Sequence, residues 1–258
     1  PDLIVANEGD TTVSVLLNIT APGATTPSFA PQQTFATGSS PISVTAADVN
    51  GDGLPDLIVA NFGDGTVSVL LNTTAPGATT SSFAPQQTFA VGGEPVSVTA
   101  ADVNGDGKPD LIVANEVGAV SVLLNTTPAP ATTFDANSFA IQQTFVTGSG
   151  PFSVTAADVN GDGRPDLIVA NYNSNTVGVL LNTTAPGAAT PSFATKQSFA
   201  VGGEPISVTA ADINGDGKPD LIVANGNDTT VSVLLNAMYA TTLSGSPAAG
   251  TIHYGVLP

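Results

Sequence analysis

Along the chain, short stretches of alternating apolar and polar residues are separated by clusters of Gly, Pro, Asn and Asp. Val96–Val103 alternates, Asp110–Asn115 is a short apolar run of Leu, Ile and Val, and Val120–Asn125 alternates again. Phe139–Val146 is more polar and carries Gln142 and Gln143. Segments of this length, bounded by turn formers, predict β-strands. No stretch shows a 3.6-residue apolar period of helical length. The pattern predicts an all-β chain.

The same four-strand pattern recurs. The segment PDLIVAN begins at Pro1, Pro55, Pro109, Pro165 and Pro219, at spacings of 54, 54, 56 and 54 residues. The chain divides into units 1–40, 41–94, 95–150, 151–204 and 205–236, followed by a divergent tail, 237–258. Small four-stranded sheets repeated in this way bury their faces by stacking on their neighbours. The expectation is a β-propeller of about five four-stranded blades on a 54-residue repeat, with the first blade incomplete. The first two strands of each blade, apolar at nearly every residue, should lie deepest, and the fourth should sit at the rim. If Thr251–Val256 of the tail adds a strand, the total comes to nineteen, one short of a closed five-bladed ring. An open edge of this kind invites pairing, so the tail or a neighbouring chain is expected to complete the ring as a donor strand.

Composition narrows the partners. With 21 acidic residues against 4 basic ones, the 258-residue chain carries a formal charge of −17. Nucleic acid and anionic membrane surfaces repel such a protein, whereas cations are attracted. No cysteine is present, so disulfides and thiolate chemistry are excluded. No apolar run approaches the roughly 18 residues that span a bilayer, and no signal peptide is visible. The chain opens inside the repeat at Pro1–Asp2, and residues upstream are expected to have been removed.

Twelve of the 21 acids lie in four nine-residue loops of pattern D-x-N-x-D-G-x-x-D, each between a first and a second strand. The first comprises Asp48, Asn50, Asp52, Leu54 and Asp56. The second comprises Asp102, Asn104, Asp106, Lys108 and Asp110. Asp158, Asn160, Asp162, Arg164 and Asp166 form the third, and Asp212, Asn214, Asp216, Lys218 and Asp220 the fourth. Side-chain oxygens at positions 1, 3 and 5, a backbone carbonyl at 7 and a carboxylate at 9 have the spacing to wrap a hard cation. Gly at position 6 permits the sharp turn. The seventh residue is expected to lend only its carbonyl, with its side chain directed outward. An all-oxygen set suits Ca²⁺ over zinc or copper, and Mg²⁺ is the chief rival. The alternative, plain Asx-turn hairpins without metal, leaves three mutually repelling Asp residues in each loop unexplained. Four divalent ions would take the charge from −17 to −9. The expected affinity is modest, on the order of 10⁻⁴–10⁻³ M, which suits extracellular calcium.

The loop and the D-L-I-V strand that follows it resemble the FG-GAP/VCBS repeat class, found in propellers of integrin α subunits, in some fungal lectins and in large bacterial surface proteins. The likeness covers nearly all of the chain up to Asn236. Phe62–Gly63 retains the namesake pair, while Glu8–Gly9, Val117–Gly118, Tyr172–Asn173 and Gly226–Asn227 stand at its equivalents. The calcium loops of that family join the first two strands of a blade. The resemblance implies this role for the four sets above.

Asn18, Asn72, Asn125 and Asn182 each open an N-x-T sequon just after the third strand, and Asn227 opens a fifth. They lead into Thr/Ala/Pro/Gly stretches, so they are candidate glycosylation sites; a plain exposed loop is the alternative. His253 stands alone in the tail, and Glu94 and Glu204 read as turn residues. Every close pair of Asp residues is committed to a loop, so acid–base catalysis has no free pair to use and the chain is not expected to be an enzyme.

The leading expectation is an extracellular or cell-surface calcium-binding protein of structural or adhesive kind. It would self-associate into filaments by strand sharing, or bind other surface proteins. A calcium-dependent lectin binding glycans between blades is the alternative. Trp is absent and none of Tyr172, Tyr239 and Tyr254 recurs at a repeat position, so the aromatic platforms typical of sugar sites are scarce. A protein-binding head like that of integrins ranks last, because the loops of successive units are nearly identical.

Overall fold

A computed structural model of the chain describes residues 1–128 and 134–236. The expected tail strand, His253, Tyr239 and Tyr254 lie outside the described residues. Among those described, eighteen strands form five antiparallel sheets of three or four strands each. Sheet 1 holds β1 (Leu3–Asn7), β2 (Thr12–Leu16) and β3 (Gln33–Ala36). Sheet 2 holds β4 (Pro41–Ala47), β5 (Asp56–Asn61), β6 (Thr66–Leu70) and β7 (Gln87–Ala90). Sheet 3 holds β8 (Pro95–Ala101), β9 (Asp110–Asn115), β10 (Ala119–Leu123) and β11 (Gln143–Val146). Sheet 4 is β12 (Pro151–Ala157), β13 (Asp166–Asn171), β14 (Thr176–Leu180) and β15 (Gln197–Ala200). Sheet 5 is β16 (Pro205–Ala211), β17 (Asp220–Asn225) and β18 (Thr230–Leu234). Each is a simple meander in chain order. No helix among the described residues is long and apolar enough to cross a membrane.

Proline opens every first strand, where its missing N–H breaks no ladder. The register slips by one residue directly after it, between Pro95 and Ser97 and at the three equivalents. Such a bulge bends and twists the strand. The fourth strand is shorter than its sequence pattern. In sheet 3 ladder pairing begins at Gln143, while Phe139 forms a single bridge to Asn125.

The core lies between sheets, not within any one of them. Alternate residues of a second strand face opposite neighbours: Ile58 and Ala60 pack with Leu111, Val113 and Leu123 of sheet 3, whereas Leu57 and Val59 pack with Val13 and Val15 of sheet 1. At the rim, edge-to-face phenylalanine pairs join neighbouring sheets, at centroid distances of 4.9 Å for Phe35–Phe83, 5.0 Å for Phe89–Phe139 and 4.8 Å for Phe145–Phe193. Near the first strands, Val98, Val154 and Val208 each donate a backbone N–H at 3.2 Å to a serine hydroxyl of the preceding sheet: Ser43, Ser97 and Ser153.

In sheets 2, 3 and 4 the deepest strands are the second and third, not the first and second. Every residue of β5, β9 and β13 is buried. β4 is mostly half-buried. As a sheet edge rich in Ser, Thr and Ala, a first strand has a partner along one side only, whereas a second strand is flanked by strands and covered by sheets.

Candidate metal centres

Each acidic loop joins a first strand to a second at the same corner of its sheet. Asp48 organises the first loop: Oδ1 accepts N–H bonds from Gly51 (2.8 Å) and Asp52 (3.1 Å), and Oδ2 accepts one from Gly53 (2.8 Å). The backbone N–H of Asp52 also donates to Asn50 Oδ1 (3.0 Å), and Asn50 Nδ2 donates to Asp52 Oδ2 (2.9 Å). Asp52 Oδ1 accepts the N–H of Leu54 (2.8 Å). The loops at Asp158 and Asp212 repeat every one of these bonds. The loop at Asp102 lacks only the one from its first glycine. These bonds are Asx turns. Peptide N–H groups aimed at the carboxylates offset part of their mutual repulsion. Gly51 and Gly53 both have positive φ, 75° and 87°, so the turn needs glycine at position 4 as well as at position 6.

The ninth residue does something the sequence did not reveal. Asp56 is fully buried, and its two oxygens hold two segments: Oδ2 accepts the N–H of Val49 (3.0 Å) and Oδ1 that of Asn72 (2.8 Å). Asp110, Asp166 and Asp220 repeat the clamp onto Asn125, Asn182 and Asn236. Burial pushes the carboxyl of Asp56 up to about 6, that of Asp110 to about 7 and that of Asp166 to about 6. The two N–H bonds oppose this rise, and the neighbouring loop carboxylates add to it.

The seventh side chain does not simply point away. The Arg164 guanidinium folds back onto Asp162 Oδ2, and Lys108 Nζ lies 3.5 Å from Asp106 Oδ2. Desolvation raises the Asp162 carboxyl, but hydrogen bonds from Arg164 and Asn160 and the Arg164 charge together outweigh it and hold the group below its usual range. A basic side chain reaching position 5 competes there with any cation. Leu54 brings no such competitor.

Among the described residues, no three Asp, Glu, His or Cys side chains are gathered as a ready-made ligand cluster. Each loop does bring the side chains of positions 1, 3 and 5 into one hydrogen-bonded turn, with position 9 anchored beneath it. The set is all oxygen, and an ionised carboxylate keeps lone pairs beyond those taken by N–H groups. In its chemistry it fits a hard divalent cation such as Ca²⁺.

The sequon asparagines have structural work. Asn125 and Asn182 are buried, and their Nδ2 groups donate across the sheet boundary to Val49 O (2.8 Å) and Val103 O (2.9 Å). These nitrogens have no room for a glycan in this fold, which corrects their reading as exposed candidates. In each of the four repeated sequons the Oδ1 atom accepts the N–H two residues on, closing an Asx turn at Thr20, Thr74, Thr127 or Thr184. The turn gives the asparagine a structural role, and the hydroxyls of Thr20, Thr74 and Thr184 donate to the carbonyls of Ser28, Ser82 and Ser192. A signal was available: Asn236 makes the same cross-sheet bond to Val159 O (2.7 Å), yet it is followed by Ala237–Met238 and opens no sequon. Asn18 and Asn227 are exposed and Asn72 is half-buried. Glu94 and Glu204 sit in turns at positive φ, 56° and 53°, and Glu204 also accepts a 2.8 Å bond from the Tyr172 hydroxyl.

A family model described as FG-GAP-like repeat matches residues 1–59, 48–113, 102–169 and 158–223. The last three matches each start on the first Asp of a loop. No curated protein matches the chain. Among solved structures, the crystal structure of the V. cholerae biofilm matrix protein Bap1 is similar over 90% of this chain and 36% of that one, at 14% identity and a TM-score of 0.46. This chain thus spans little more than a third of that protein. A structure of BBS1N in complex with ARL6DN, soaked with lead, is similar over 88% of this chain and 72% of that one, at 14% identity and a TM-score of 0.43. Both scores lie below 0.5, and neither likeness bears on what this chain does. The four overlapping matches run from residue 1 to residue 223, and the chain belongs to the FG-GAP-like repeat family.

Proposed function

We propose that this chain is a calcium-binding structural or adhesive repeat protein of the extracellular space or cell surface, and that it is not an enzyme. One observation carries the reading. The same oxygen-rich loop stands at the first corner of sheets 2, 3, 4 and 5, tied by a buried aspartate to the segment that follows the third strand. In the loop at Asp48, the residues that would hold the ion are Asp48, Asn50, Asp52, the carbonyl of Leu54 and Asp56. Bound calcium would supply positive charge at this corner. The chain's own part is to keep loop and third strand in register through the ninth aspartate. Five sheets stacked face on face support a propeller-type arrangement of blades, and the repetition of one unit supports an adhesive or scaffolding role.

Calorimetric titration of the metal-stripped protein tests this reading. The expected result is about four calcium equivalents with dissociation constants on the order of 10⁻⁴–10⁻³ M and weaker binding of magnesium. No heat, and no rise in unfolding temperature at millimolar calcium, would overturn it.

A further inference from the structure

The ninth aspartate of each acidic loop holds two segments, and the asparagine in one of them reaches the loop of the preceding sheet. Asp166 Oδ2 accepts the N–H of Val159, the second residue of its own loop (3.0 Å), and Oδ1 accepts the N–H of Asn182 (2.7 Å). Asn182 Nδ2 donates to the carbonyl of Val103, the second residue of the loop in sheet 3 (2.9 Å). The N–H of Val103 is held by Asp110 Oδ2 (2.8 Å), the ninth residue of that loop. Asp110 Oδ1 accepts the N–H of Asn125 (2.7 Å), and Asn125 Nδ2 donates to the Val49 carbonyl in sheet 2 (2.8 Å). Asp56 Oδ2 holds the Val49 N–H (3.0 Å). From sheet 5, Asp220 Oδ1 holds the Asn236 N–H and Asn236 Nδ2 donates to the Val159 carbonyl, both at 2.7 Å.

Hydrogen bonds therefore run without a break from Asp220 to Asp56 and touch all four loops, in the order aspartate, asparagine, valine, aspartate, three times over. Every link is buried. Buried groups have no water to turn to when a partner moves, so a displacement at one link is costly unless the next link follows. Each valine directly precedes the asparagine at the third position of its loop, one of the candidate ligands. Between sheets 3 and 4 a second tie reaches that asparagine itself: Gly187 donates its N–H to the Asn104 carbonyl (2.7 Å), and Asn104 Nδ2 donates to the Ala188 carbonyl (3.1 Å). Asn104 is 5% exposed. The turn that carries Gly187 follows Asn182 closely, so Asp166 places both ties.

We infer that the four loops bind calcium cooperatively, each favouring its neighbours through Asn125, Asn182 and Asn236. The inference rests on the reading of the loops as calcium sites. A loop whose carboxylates are drawn together on an ion is held in one conformation, and its ninth aspartate with it. That aspartate steadies the asparagine, and the asparagine steadies the peptide that leads into the third residue of the adjacent loop. The adjacent loop then has less freedom left to lose when it closes, so the ordering imposed by one ion favours the next. Coupling between binding sites is reciprocal, so the effect runs both ways along the chain of bonds. The ties join nearest neighbours, and the effect falls off beyond the adjacent sheet, as in other linear arrays of repeats. Repulsion between bound cations acts in the opposite sense, and salt screens it beyond about 8 Å at physiological ionic strength.

Site-resolved NMR titration of the metal-stripped full chain with calcium, at about 0.15 M salt, tests this. The native protein should fill with a Hill coefficient above about 1.5. Asp162→Asn disables the loop in sheet 4 at an exposed position and leaves the core untouched. Calcium affinity should then fall about fivefold at the loops of Asp102 and Asp212, and less at that of Asp48. In Asn182→Ala, which removes the donor to Val103, the loop at Asp102 should no longer respond to Asp162→Asn, while the loop at Asp212 still does. If Asn182→Ala does not fold, Gly187→Val decides the same point. It strains an exposed turn at a φ of 69° and opens the second tie, so it should shrink the response at Asp102. A response at Asp102 that persists undiminished in these backgrounds is one of charge alone and overturns the inference. Four independent isotherms that Asp162→Asn leaves unchanged also overturn it and leave the calcium reading standing, whereas no binding at any loop removes both.

Discussion

The Asn125 side-chain amide donates to the Val49 carbonyl at 2.8 Å, across 76 positions of sequence. It ties the acidic loop of sheet 2 to the end of the third strand of sheet 3. Asn182 and Asn236 make the same tie one and two repeats on. Replacing Asn125 or Asn182 with Ala leaves buried carbonyls without a donor, at a cost of about 1–3 kcal/mol each. Asn18→Ala removes two exposed bonds, that from Nδ2 to Pro1 O and that from the Thr20 N–H to Oδ1, and buries no unpaired group, so it should lie within about 0.5 kcal/mol of the parent. Urea midpoints of the three variants check this.

The same geometry predicts where sugar attaches when the chain is made in a host that glycosylates. Occupancy should fall on Asn18 and Asn227, with less at Asn72 and none at Asn125 or Asn182 in correctly folded material. Site-by-site mass spectrometry of the secreted protein reads this directly, and a glycan on buried Asn125 would contradict the cross-sheet tie.

The raised carboxyls predict an unusual pH dependence without metal. Asp56, Asp110 and Asp166 hold their protons up to about 6, 7 and 6 when folded, against 3.8 when exposed. Between these limits the folded state binds more protons than the unfolded chain, so stability falls as pH rises. The contribution is full below about pH 4 and gone above about pH 7. Relief of the −17 net charge on acidification acts in the same direction. A divalent cation demands the ionised carboxylate, so in calcium the slope over this window should reverse. Urea midpoints from pH 4 to pH 8, with metal-stripped and calcium-loaded protein, show whether the curves cross.

Asp52→Asn keeps an oxygen to accept the Leu54 N–H and removes one ligand charge. It should lower the calcium stoichiometry from four toward three while changing metal-free stability little. Arg164→Leu removes the side chain that occupies Asp162 and makes the seventh position of that loop match Leu54. Exposed pairs of this kind are worth a few tenths of a kcal/mol to about one, so the affinity of the loop should rise about two- to fivefold. Site-resolved calcium titration by NMR checks both variants.

Position in the stack should set the cost of a core truncation. Ile112→Ala empties a fully buried site between two sheets, at about 2–5 kcal/mol. Ile222→Ala, at the equivalent place in sheet 5 where the side chain is half-buried, should cost well under half as much. Urea midpoints of the two variants check this, and equal losses would contradict it.

Strand identity, the 54-residue period and the position of each acidic loop were legible in the chain because they are local. Alternation, Pro and Gly act on neighbouring residues, and Asp48 reaches the N–H groups of the next few. Asp56 was legible as an acid at position 9. Its hold on Asn72 was not, because the partner arrives only when the third strand returns beside the second. The N-x-T pattern invited a reading as sugar sites, whereas the fold uses Asn125 and Asn182 to fasten one sheet to the next. Which strands are deepest was likewise settled by stacking, since an apolar run shows that a strand is buried but not how many neighbours cover it. The sequence by itself determined the repeating sheet and its oxygen-rich corner. Only the tertiary structure decided which side chains cross between sheets, because burial depends on what packs opposite a residue and not on the residue alone.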